Sequence, residues 1–108
     1  MIDPDKIYHE VSSAGETWAD TKAAYEAFDD NTKSVLAEIA GRYLDAGETQ
    51  GKAETRALAS KDYREHLASL SKARGEFLRA QVRYDSLRLL AELRRSEESS
   101  RRAEMNLR

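Results

Sequence analysis

The chain predicts an all-α protein: a long antiparallel helical hairpin, coiled-coil-like, with a short connecting helix, assembled into a dimeric or larger helical bundle. Three observations predict it. Of its 108 residues only one is Pro and five are Gly, while 35% are charged, a composition of long helices. Apolar residues recur in alternating steps of four and three along two separate stretches, which is the spacing of a helical seam. Between the stretches lies a glycine-bearing break, where the chain can fold back.

The first helix is expected over about residues 4–44. Asp3 followed by Pro4 is a strong helix start, because Asp caps free backbone N–H groups and Pro fits the first turn. Its seam runs through Ile7, Val11, Ala14, Trp18, Thr21, Tyr25, Phe28, Thr32, Val35 and Ile39 without a skip. Leu36 and Tyr43 widen it, as a straight helix drifts against a seven-residue repeat. The pattern outlasts Asp29-Asp30-Asn31, so the helix is read as continuous to about Leu44.

Gly47 and Gly51 mark the turn, within a connection over about residues 45–59 that includes a short helix between Thr49 and Ala59. Leu58 is that segment's only large hydrophobe, and the short helix is expected to pack across the end of the hairpin. Ser60 reads as the next N-cap, with Asp62 and Glu65 placing negative charge near a helix N-terminus. The second long helix is expected over about 60–105, with a seam through Tyr63, Leu67, Leu70, Ala73, Phe77, Ala80, Tyr84, Leu87 and Leu90 or Ala91. A single domain spanning 1–108 follows, its core built from the aromatic and aliphatic seam residues. A two-helix hairpin does not cover both sides of such rings, so self-association completes the burial.

After Leu93 the seam fails, since Arg94 to Arg102 contains no apolar residue and only Ala103, Met105 and Leu107 follow. This arm is either a frayed terminus or a segment ordered by a partner. Charge is unevenly spread: residues 1–73 carry 9 basic and 14 acidic side chains, and residues 74–108 carry 9 and 6, all nine basic ones Arg. Arg suits bidentate contact with carboxylate or phosphate. Arg79, Arg83, Arg94, Arg101 and Arg108 share one sector of an ideal helix, and with Arg95 and Arg102 they are the candidate partner or phosphate contacts. The plain alternative is a solvated, self-neutralising surface. With Glu76, Glu97 and Glu104 near the same sector and a sequence pI of about 5.7, an acidic protein face is the first expectation for a partner and nucleic acid the second.

Catalysis finds no support. There is no Cys, no Gly-rich phosphate loop, and neither His9 nor His66 has a second histidine one turn away, as a zinc helix requires. No cofactor, metal or small-molecule substrate is expected. The first residues lack a signal-peptide pattern and no run of 18 apolar residues occurs, so a cytoplasmic, membrane-free location is expected.

The run Ala57-Leu58-Ala59-Ser60-Lys61-Asp62-Tyr63-Arg64-Glu65-His66-Leu67, then Arg83-Tyr84-Asp85-Ser86-Leu87 and the closing Arg101-Arg102-Ala103-Glu104-Met105, resembles small uncharacterised coiled-coil proteins of tailed bacteriophages and prophages, often associated with recombination and replication genes. The resemblance implies a phage-derived, non-enzymatic accessory protein inside bacterial cells, with a phage or host protein as partner. It implies as alternatives an aid to single-strand DNA handling, and a virion scaffold or assembly component. It transfers no site residue. The small secreted hairpins of the WXG type differ at the decisive place, because Trp18 is followed by Ala19-Asp20 and lies inside a helix.

Overall fold

The computed structural model describes residues 4–107. Among them are three helices and no strand: α1 (Pro4–Asp45), α2 (Gln50–Ala59) and α3 (Lys61–Leu107). The start signal assigned to Asp3 lies outside the described residues. α1 passes through Asp29-Asp30-Asn31 without interruption.

The end of α1 is closed by a Schellman motif. Glu48 N–H donates to the Tyr43 carbonyl at 3.1 Å and Gly47 N–H to the Leu44 carbonyl at 3.0 Å, which satisfies carbonyls the helix would otherwise leave open. Gly47 makes this possible, with φ of 93°, a conformation costly for a residue bearing a Cβ. Gly51, in contrast, is helical and belongs to the first turn of α2. Thr49 caps α2 by accepting from Lys52 N–H at 3.4 Å.

Ser60 serves two helices at once. Its hydroxyl donates to the Ala57 carbonyl at 2.7 Å and accepts from Tyr63 N–H at 3.1 Å. One residue in extended conformation thus closes α2 and opens α3, so the corner needs no loop.

The packing divides into two compact units, residues 21–77 in one and residues up to Asp20 with those from Leu78 onward in the other. In the 21–77 unit, α1 and α3 run antiparallel, because partners rise along one helix as they fall along the other. Tyr25 meets Phe77 with ring centroids 5.7 Å apart, Phe28 meets His66 at 6.1 Å, and Arg42 meets Asp62 at 2.8 Å. Its core gathers Ile39, Ala40 and Ala57, with Val35, Leu36, Tyr43 and Tyr63 packed against them.

α2 docks by its alanines. Ala53 and Ala57 are 0% exposed, whereas Leu58, the segment's one large hydrophobe, is 54% exposed and stands at the rim of the contact. A methyl group lets two backbones approach where a leucine would hold them apart, so the smallest apolar residues take the contact. Arg42 ties the start of α3 to α1, and its pKa is raised above the ordinary value, first by the hydrogen bond to Asp62 and then by that to Glu38. Both pairs lie in water, where such bridges add little.

In the other unit α1 and α3 are again antiparallel. Trp18 stacks on Tyr84 with centroids 5.4 Å apart and planes 12° from parallel, and Arg95 donates to the Tyr8 hydroxyl at 3.4 Å. Ile7, Ala14 and Ala80 are its buried residues.

Candidate functional site

The two seams meet face to face inside each unit, and their burial is graded. Ile7 and Ile39 are buried; Val11, Trp18, Tyr25, Val35, Tyr63, Leu70, Phe77, Tyr84 and Leu87 are half-buried. Phe28 and Leu67, at 39% and 40% exposed, sit at the margin of the contact. A helix turning every 3.6 residues carries some members of a seven-residue pattern off the facing line. Ring pairs cross the seam at Trp18–Tyr84 and Tyr25–Phe77, where large apolar faces meet.

Two details of the seam escape a reading by residue size. Thr32, which thins the seam, brings its hydroxyl to 2.9 Å from His66 Nε2 and to 3.1 Å from the Phe28 carbonyl. The hydroxyl and the ring nitrogen share a hydrogen bond whose direction follows the tautomer of the imidazole. The histidine thereby acts as a polar brace between α1 and α3. His9 stays exposed.

Gly15 is the second. A Cβ at this position would lie 3.0 Å from Tyr84 Cε2 and 3.4 Å from Cδ2, so the missing side chain is what lets the tyrosine lie flat on Trp18. The available signal was a glycine inside an unbroken helix, one turn before a tryptophan. Gly15→Val is expected to lower stability by about 1–3 kcal/mol, the usual cost of overpacking. It should read as a lower urea midpoint at unchanged slope, with loss of the near-ultraviolet signal of the stacked rings. Unchanged values would place Tyr84 elsewhere.

The arginines separate into two groups. Arg94 is half-buried and lies with Arg95 beside Ile7 and Tyr8, so these two face α1. Arg79, Arg83, Arg101 and Arg102 are exposed. Arg102 pairs only at 3.9 Å with Glu98, one turn earlier. Among the described residues, Arg79, Arg83 and Arg101 have no carboxylate at ion-pairing distance. Arg108 lies outside the described residues. α3 remains helical through the whole arm to Leu107, although every residue from Arg95 to Leu107 is exposed.

Two apolar surfaces complete the inventory. In the 21–77 unit an open groove of about 530 Å³ separates α1 from α2. Leu36, Ala40 and Leu44 form one wall and Gln50, Glu54 and Leu58 the other. In the other unit, α3 carries a row of exposed aliphatics: Leu78 at 44%, Val82 at 66%, Leu89 at 58% and Leu93 at 55%. At about 100° per residue these four fall within roughly 60° of one another. They lie on the opposite side of α3 from Ala80, Tyr84, Leu87 and Ala91, the seam residues of that unit.

Among the described residues no group of three or more His, Asp or Glu side chains is arranged to hold a metal ion, and no helix is long and apolar enough to cross a membrane. What fold and surfaces define is an all-α helical hairpin with an arginine-bearing C-terminal helix and an aliphatic row on that helix's outer side. No family model, curated protein or solved structure matches the chain.

Proposed function

We propose that the protein is a non-enzymatic association module, which assembles with copies of itself and offers the arginines of the C-terminal part of α3 to an acidic face of a partner protein. The observation that carries this reading is the state of Arg79, Arg83 and Arg101: exposed, and, among the described residues, with no carboxylate at ion-pairing distance. Guanidinium groups held along a rigid helix lose less freedom on binding than groups on a loose tail, which favours recognition of a partner's carboxylates. The partner, of phage or host origin, is defined by that chemistry. Phosphates would satisfy the same groups, and the test separates the two.

The full-length variant Arg79→Ala, Arg83→Ala, Arg101→Ala, Arg102→Ala keeps good helix formers at exposed positions, so its helicity should match that of the wild type. A protein that copurifies from the native cell with the wild type is expected to bind the variant at least about a hundredfold more weakly, since charge-assisted hydrogen bonds contribute about 1.5–3 kcal/mol each. Equal affinity would overturn the assignment of the arm. In a gel-shift titration, single-stranded DNA should give no shift at micromolar protein. A shift that weakens steeply with salt and disappears in the variant would replace the protein partner with nucleic acid.

A further inference from the structure

The row Leu78, Val82, Leu89, Leu93 is not part of the hairpin seam, and it does not stop where the seam stops. Continued at the same angular position, it passes through Ser96, Ser100, Ala103 and Leu107, a line of small and aliphatic residues reaching the end of the arm. Leu107 is 89% exposed. A single helix thus carries two contact lines on opposite sides, one used within the chain and one open.

The chain exposes 8323 Å², whereas compact folded monomers of 12.2 kDa expose about 6,100 Å², a surplus spread over all its faces that is in keeping with a subunit of an assembly. Among the described residues no large side chain is fully buried, so apolar surface is left for a cover.

We propose that this face binds a second copy of the same chain, α3 against α3 in antiparallel two-fold arrangement, with Leu78 over Leu93 of the second copy and Val82 over Leu89 of the second copy. A two-fold contact requires a self-complementary patch, in which each residue meets its opposite number twice. The row satisfies this about a centre between Asp85 and Ser86, where its four aliphatics pair with none left over. Charge does not set this register: about that centre Asp85 of each copy lies within about 1.5 Å of the other's level along the helix axis, with Arg88 of the second copy within about 3 Å on the same flank to offset the like charges. The arm beyond Leu93 gains the neighbour that the hairpin does not give it.

This inference rests on the self-assembling half of the proposed function and is independent of the arginines' partner. The test is sedimentation of the full-length protein at micromolar concentration. The wild type should run at twice 12.2 kDa. The variant Val82→Lys, Leu89→Lys should run at the monomer mass, its dissociation constant raised at least a hundredfold, with helicity and the Trp18–Tyr84 near-ultraviolet signal retained because both positions already face water in the single chain. A monomeric wild type overturns the interface and leaves the arginine reading standing; a dimeric variant moves self-assembly to another face. Because the native chain has no cysteine, the register is read separately. Leu78→Cys protein mixed with Leu93→Cys protein should form mixed disulfides faster than either forms with itself, and the reverse preference would contradict the antiparallel arrangement.

Discussion

Replacing Trp18 with Ala is expected to cost about 3 kcal/mol, the lower end for loss of a large aromatic ring, since Trp18 keeps part of its surface in water. For a chain of this length that corresponds to a fall in Tm of roughly 12 °C. The loss has two sources: apolar area that no other side chain reaches, and the stack on Tyr84 at 5.4 Å, which contributes about 0.5–1.5 kcal/mol beyond area. Tyr8, 58% exposed on the same helix, is the control; Tyr8→Ala should shift stability by about 0.5 kcal/mol or less, as surface changes do. Thermal melts of the two variants side by side decide it. Equal Tm values would remove Trp18 from the core.

The second large effect is expected at an alanine. Ala57 is 0% exposed and belongs to the cluster with Ile39 and Ala40. Ala57→Leu therefore adds three carbons where there is no room, and should cost about 3 kcal/mol or detach α2 altogether. Leu58→Ala, its neighbour, should be nearly neutral because Leu58 is 54% exposed. Urea titration followed by helical circular dichroism measures both. A damaging Leu58→Ala beside a tolerated Ala57→Leu would mean that α2 presents the other face.

That reversal of expectation shows what a sequence makes legible here. The facing seams could be read because steps of three and four leave a mark in any order of residues, and Gly47 and Ser60 could be read because left-handed backbone and capping each favour few residue types. The face of α2 could not. Size ranks Leu58 first, but close approach selects Ala53 and Ala57, and how near two helices lie is a tertiary fact. The outer row of α3 was hidden for a different reason. Leu78, Val82, Leu89 and Leu93 interleave with Phe77, Ala80, Tyr84 and Leu87, and a reader following the seam takes them as its surplus.

The arginines show the same limit at the candidate site. Arg94 and Arg95 look equivalent to Arg101 and Arg102 in composition, yet they lie against Ile7 and Tyr8, which only the fold-back of α1 brings near. Thr32 and His66, 34 positions apart, become partners at 2.9 Å by the same fold-back. Spacing placed Thr32 on the seam, but it did not name His66 as its partner.

The contact between the Trp18 indole and the Tyr84 ring tests the hairpin most directly. In nuclear magnetic resonance spectra of the full-length protein, cross-relaxation between these two rings is expected at full strength inside a single uniformly labelled chain. In a sample mixing labelled with unlabelled copies, filtering for contacts between chains should remove it. A Trp18–Tyr84 signal that is missing, or that survives only between copies, would contradict a hairpin closed within one chain.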